Sequence, residues 1–105
     1  MLAKDPTADE ARFALATALF ERAQYQEALA HLDRVDRSSE VYPRTHHLRA
    51  NVLRYLYQYD AAEAAFQAAL QHAPSDPRLH NDRGLMLSSL NRTTDASVEL
   101  LRAIT

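Results

Sequence analysis

The sequence predicts an all-α chain built as a solenoid of stacked helix–turn–helix units. Three observations carry that expectation. First, Gly84 is the single glycine among 105 residues, and hairpin-rich sheets and phosphate-cradling loops both depend on glycine. Second, sliding the sequence by 34 residues lays it on itself: Tyr25 falls on Tyr59, Leu32 on Phe66, and Leu19 on Leu53 and then Leu87. Self-similarity at this period marks supersecondary units that stack on one another. Third, small residues recur twelve positions apart, once per copy: Ala16 with Ala28, Ala50 with Ala62, Gly84 with Ala96.

Residues 1–8 read as the tail of a preceding repeat or an N-terminal cap, since Leu2 and Pro6 match Leu70 and Pro74 two periods later. Three units follow at 9–42, 43–76 and 77–105, the last incomplete, and together they form one domain. Each unit splits into two helices of about 13 residues, six in all. Thr7 with Glu10 forms a capping-box pair for the first. In the second unit, one helix runs from Pro43 to Leu56, its proline tolerated because a first-turn N–H has no intrahelical partner. Its mate runs from Asp60 to His72, opened by Asp60-x-x-Glu63. In the third unit Asp76 caps the helix beginning at Pro77, and Thr93 or Thr94 caps the last helix. The few residues between the helices of a unit make them antiparallel neighbours.

The small residues are where those neighbours touch. One sits in the middle of each first helix and the other early in each second helix, letting the backbones approach closely. Four positions after each second-helix alanine comes a large apolar residue on the same face, Leu32, Phe66 or Leu100. An alanine-rich stretch such as "QYDAAEAAFQAALQHAP" is therefore stabilised by its neighbours rather than by bulk of its own.

Composition excludes several classes of function. With no cysteine, disulfides, thiol catalysis and cysteine-ligated zinc are ruled out. A net charge of −2 argues against general nucleic-acid binding, which needs a basic surface. No apolar run reaches the roughly 20 residues that cross a bilayer, so membrane insertion is not expected. "MLAKDPTADE" shows no signal peptide, which leans towards a cytoplasmic setting. Eleven arginines against one lysine, with abundant alanine, suggest a GC-rich, bacterial type of genome. His46 and His47 are adjacent on a helix and face different ways, while His46 and His80 would lie roughly 10 Å apart on neighbouring helices. Neither pair suits a metal. No cofactor site or catalytic set emerges, and Asp33, Glu63 and Glu99 read as solvated charges, so the chain is not expected to be an enzyme.

The residues that carry the period resemble the tetratricopeptide repeat, whose pattern is W-x2-L-G-x2-Y…A-x3-F…P. Here it stands as Leu15-Ala16-x2-Leu19…Ala28-x3-Leu32, then Arg49-Ala50-x2-Leu53…Ala62-x3-Phe66…Pro74, then Arg83-Gly84-x2-Leu87…Ala96-x3-Leu100. Departures are Arg12, His46 and His80 at the tryptophan position, and Arg49 and Arg83 at the leucine before the small residue. Thr93 stands where the other units have Tyr25 and Tyr59, which loosens the last turn. The resemblance implies a right-handed superhelix whose concave groove is lined by the first helix of each unit. By family geometry the groove residues are Phe13, Thr17 and Phe20; Arg44, His47, Asn51, Arg54 and Tyr55; and Arg78, Asn81, Asp82 and Leu85. The carboxylate clamp of chaperone-binding members would fall on Phe13, Thr17, Leu48, Arg78 and Asp82, of which only Arg78 fits.

The expected function is a non-catalytic protein–protein interaction scaffold, holding an extended peptide or helix of a partner protein in that groove. Aromatic rings anchor apolar side chains, asparagine amides bond a peptide backbone, and arginines take carboxylates. The alternative is a structural module that self-associates into a homo-oligomer through Val98, Leu101 and Ile104. Leu101 replaces the polar Asp33 and Gln67, whereas solenoid ends normally carry polar outer faces, so the expectation is either an excerpt of a longer array that continues past Thr105 or a face that pairs with another molecule. A helical-repeat RNA binder is a third, minor reading that the acidic balance disfavours.

Overall fold

The computed structural model describes residues 6–104, with side chains described at all of these except 6, 7, 92–99 and 104. Its helices are α1 (Pro6–Glu21), α2 (Tyr25–Leu32), α3 (Tyr42–Tyr55), α4 (Tyr59–His72) and α5 (Pro77–Ile104). No strand occurs among the described residues. The first two pairs are helical hairpins, and α2 and α4 each also touch the first helix of the following unit. The stack measures 66 × 29 × 22 Å. The expected Thr7 cap, most of the 1–8 segment and the side chain of Ala96 lie outside the described residues.

Each hairpin turns by the same hydrogen bonds. The N–H of Gln24 donates to Leu19 O at 2.8 Å and that of Ala23 to Phe20 O at 2.9 Å. One period later Gln58 donates to Leu53 O at 2.9 Å and Tyr57 to Arg54 O at 3.0 Å. These are the paired bonds of a Schellman close. Ala23 and Tyr57 both adopt φ 62°, where a side chain costs about 1–2 kcal/mol. Two residues on, Tyr25 and Tyr59 pack against the cores and offset that cost.

In the third unit the turn is absent. Where two helices were expected, α5 runs unbroken for 28 residues, so the described chain has five helices rather than six. Asn91 holds the repeat position of Ala23 and Tyr57, and Thr93 that of the anchoring tyrosines. Asparagine tolerates the left-handed conformation, but a threonine supplies much less apolar burial than a tyrosine, and continued helix keeps every backbone bond.

The expected seams close the first two units. Ala16, Ala28, Ala50 and Ala62 are fully buried, as are Leu32 and Phe66 beside them. One core gathers Ala16, Leu19, Ala28 and Leu32 with Val52 of α3; the next gathers Ala50, Leu53, Ala62 and Phe66 with Leu79 and Met86 of α5. Each core thus recruits a residue from the next unit, the coupling that makes repeats stack. Burying a side chain the size of Phe66 contributes about 1.5–3 kcal/mol. On α5 the same repeat positions stay open. Leu87 is 37% exposed against 9% for Leu19 and 8% for Leu53, and Leu100 is 69% exposed where Leu32 and Phe66 are fully buried.

Three local expectations need correction. The helix α2 has eight residues, not about 13. After it, the Asp36 carboxylate accepts bonds from Ser38 N–H and Oγ, both at 2.7 Å, a local arrangement that competes with helix. The helix α4 begins at Tyr59 without a side-chain cap, so the expected cap Asp60 lies within its first turn. Nor are Asp33 and Glu63 plain solvated charges: Asp33 pairs with Arg49, and Glu63 takes a bidentate fork from Arg83 at 2.6–3.0 Å. These arginines fill the position where the repeat pattern has leucine, and each ties a first helix to the preceding second helix. Asp76 caps α5 as expected, accepting from Arg78 N–H at 2.9 Å.

Candidate functional site

A hollow of about 480 Å³ opens between the start of α3, the middle of α1, the end of α4 and the first turn of α5. Phe13, Thr17, Arg44, His47, Asn51 and Arg78 line it, six of the expected groove residues. A second hollow of about 390 Å³ shares His47, Asn51 and Arg78 with the first and adds Asn81 and Asp82. The helical period explains the grouping. Arg44, His47 and Asn51 lie three and four residues apart on α3, so one face presents all three.

Asp82 organises the α3–α5 junction. Its Oδ2 lies 2.8 Å from His47 Nε2 and accepts from Asn51 Nδ2 at 3.0 Å. Arg54 Nη2 donates to Asn51 Oδ1 at 3.2 Å, extending the chain of bonds. Partial burial alone would raise the Asp82 carboxyl, but the bonds from His47 and Asn51, with the charges of His47 and Arg54, hold it below its ordinary value. An ionised Asp82 fixes both side chains across the unit boundary, leaving the hollow's wall preformed.

The cations differ. Arg78 is mostly exposed and only loosely engaged by Asp76, at 3.5 Å. The Arg44 guanidinium lies 4.8 Å from the centroid of the Phe13 ring and has no carboxylate partner among the described residues. Stacked on a ring, a guanidinium keeps its donors free for an incoming acceptor. The Thr17 hydroxyl is spent within α1, donating to Phe13 O at 3.0 Å.

Four expected groove residues lie elsewhere. Phe20 and Tyr55 pack with Tyr25 as a cluster with ring centroids 5.3–5.8 Å apart. Arg54 lies over the Tyr55 ring at 4.9 Å. This cluster fastens α3 to the turn of the first unit. Leu85 is half exposed and lines neither hollow. The sequence reading missed Pro43, Leu79 and the C-terminal turn of α4, namely Ala69, His72 and Ala73, as wall residues. Leu48, considered only for the chaperone clamp, forms part of the floor. Of the expected self-association face, Leu101 is exposed, while the side chains of Val98 and Ile104 lie outside the described residues.

His46 stacks on His72 at 5.9 Å and meets Tyr42 edge-on at 5.0 Å. Burial first, then the charges of Arg49 and His72, lower its pKa. His80 bonds Pro74 O at 2.7 Å, a structural tie. Among the described residues, no helix is long and apolar enough to cross a membrane.

Residues 1–69 match the family model described as Anaphase-promoting complex, cyclosome, subunit 3, and residues 47–105 match the model described as Tetratricopeptide repeat. No curated protein and no solved structure matches the chain.

Proposed function

The chain belongs to the tetratricopeptide repeat family, whose members generally mediate protein–protein interaction, and from that premise we propose that it grips an extended segment of a partner protein in the hollow between α1, α3 and α5. The segment presents a carboxylate to Arg44 and Arg78 and an apolar side chain to Phe13 and Leu48. The observation that carries this reading is Arg44 laid over Phe13 on the rim of an open hollow. It offers a cationic and an apolar contact side by side, the pair of features that an acidic–hydrophobic peptide needs. Asn51, held by Asp82, retains capacity to bond a peptide backbone. The three-repeat division at 9–42, 43–76 and 77–105 belongs to the same proposal.

The proposed role is scaffolding without catalysis. RNA reading remains weak beside it, since Arg54 is already engaged with Asn51 and Tyr55. A display library of short peptides, sorted against the chain, tests the proposal. Selected peptides are expected to be enriched in Asp and Glu next to an apolar residue, and Arg44→Glu is expected to lose them with helicity unchanged. Selection of the same peptides by the Arg44→Glu variant would refute the groove.

A further inference from the structure

Two histidines line the hollow between α1, α3 and α5, and the proposed grip on an acidic segment uses neither. His47 stands on α3 and His72 ends α4. Both rings are held in place. His47 Nε2 lies 2.8 Å from Asp82 Oδ2, and the His72 ring stacks on His46 with centroids 5.9 Å apart. We propose that these two imidazoles make capture of the acidic segment proton-dependent, tight when they are charged and weak when they are neutral. The inference rests on the groove reading and adds the regulation of that site.

The surrounding charges give the histidines their leverage. The titratable side chains lining the two adjoining hollows are Arg44, Arg78, Asp76, Asp82, His47 and His72. Two arginines offset two aspartates, so the lining has no net charge while both imidazoles are neutral. Protonating both leaves it with two positive charges. Histidine is the side chain that changes charge between about pH 5 and about pH 8. The Asp and Glu of a partner ionise at about pH 4 and stay negative across that range.

His47 contributes more than charge. Partial burial alone would raise the Asp82 carboxyl, but the bonds from His47 and Asn51 hold it below its ordinary value. An ionised carboxylate only accepts hydrogen bonds, so His47 Nε2 carries the hydrogen. Its Nδ1, which has no partner among the described residues, is therefore the nitrogen that titrates. Neutral, Nδ1 is an acceptor and offers a carboxylate nothing; protonated, it becomes a donor. Charge and hydrogen bonding change in the same direction for an incoming acid.

His72 is the imidazole of its stack that faces the hollow. Burial first, then the charges of Arg49 and His72, hold His46 below its ordinary value, so His46 stays neutral into more acid conditions. The other charged groups around the two rings are Arg44 on α3 and Asp76 and Arg78 at the start of α5. The charge of His47 reaches Asp76, and that of Arg54 reaches Asp82. From α1 the lining takes Phe13 and Thr17, which do not titrate. A unit charge gained about 4 Å from a carboxylate strengthens attraction about fivefold even at the dielectric constant of water.

Isothermal titration calorimetry with an end-blocked acidic–apolar peptide recovered from the display library tests the inference. From about pH 8 to about pH 5.5 the dissociation constant is expected to fall at least about tenfold. Repeating the titration in buffers of different ionisation enthalpy should reveal proton uptake. The same peptide with glutamine at its acidic positions should lose the gain. His47→Gln and His72→Gln should each shrink it and the double variant abolish it, with circular dichroism at both pH values checking that the helices persist. Linkage is reciprocal, so in two-dimensional NMR of the unaltered chain the His47 and His72 ring signals should reach their protonated positions at higher pH with peptide than without. Equal affinity at both pH values would overturn the inference and leave the groove standing. So would a pH dependence that survives in the double variant, or ring signals that ignore the peptide. A library that yields no acidic peptide at either pH would end both readings.

Discussion

Ala50 and Gly84 occupy the same repeat position, yet substitutions there are expected to act with opposite sign. Ala50 is fully buried against α4, where Ala62 is fully buried too. Leucine at position 50 adds three carbons to a junction that has no room for them, and overpacking of this kind costs typically about 1–3 kcal/mol. For a domain of this size each kcal/mol lowers the melting temperature by about 4–8 °C, so Ala50→Leu should lower it by roughly 4–24 °C. At Gly84 no packing neighbour among the described residues crowds an added Cβ. Gly84→Ala removes the helix-interior penalty of glycine, about 1 kcal/mol, and should raise the melting temperature by several degrees. Thermal unfolding followed by circular dichroism, on dilute protein, reads both. A Gly84→Ala variant that melts lower than the parent would show that a helix packs against that face within one chain, and the unbroken α5 would be refuted. An Ala50→Leu variant of unchanged stability would remove the small-residue seam on which the repeat architecture rests.

Further expectations concern the core, pH and the turn. Phe66→Ala removes a fully buried ring from the second core and should cost about 3–5 kcal/mol in urea unfolding; a loss below 1 kcal/mol would contradict the packing described. Glu63 lies below its ordinary pKa, chiefly through its hydrogen bond from Arg83. The native state thus binds fewer protons than the unfolded one. The stability it contributes is present above the ordinary carboxylate range and lost as pH falls through its folded value, so Glu63→Gln should flatten the acid limb of a pH–stability curve. His46 is also lowered, first by burial and then by Arg49 and His72, so its stabilising share disappears as pH drops below about 6.5 and through its folded value. His46→Phe should remove that upper portion, which two-dimensional NMR titration of the parent can locate. Thr93→Tyr restores the anchor carried by the first two units and should favour a turn at Asn91; protease nicking near Asn91 that stays as in the parent would count against the anchor's role.

Much of the hollow's lining was legible because its residues recur at helical spacing within one repeat. Arg44, His47 and Asn51 could be placed on one face of α3 by counting, and the structure puts all three on the same hollow. Phe20 and Tyr55 could not be assigned that way. Both satisfy the groove register, but Tyr25 lies across a turn from Phe20, and ring-to-ring packing draws the three together. Ala69, His72 and Ala73 were missed because they belong to a second helix, which reaches the hollow only through the angle between units.

What the sequence determined by itself is the local code. The 34-residue period, the paired small residues, the large residue four positions on and the Asp76 cap all depend on spacings within one hairpin, where chain connectivity dictates who meets whom. What only the tertiary structure decided is the behaviour at unit boundaries. Arg49 and Arg83 look like defects in the repeat pattern until Asp33 and Glu63 come beside them. The turn at Asn91 looks as well encoded as its two predecessors, yet α5 passes straight through it. A left-handed residue has a local cost that is repaid by burial against another helix, and no local pattern reveals whether that burial is available.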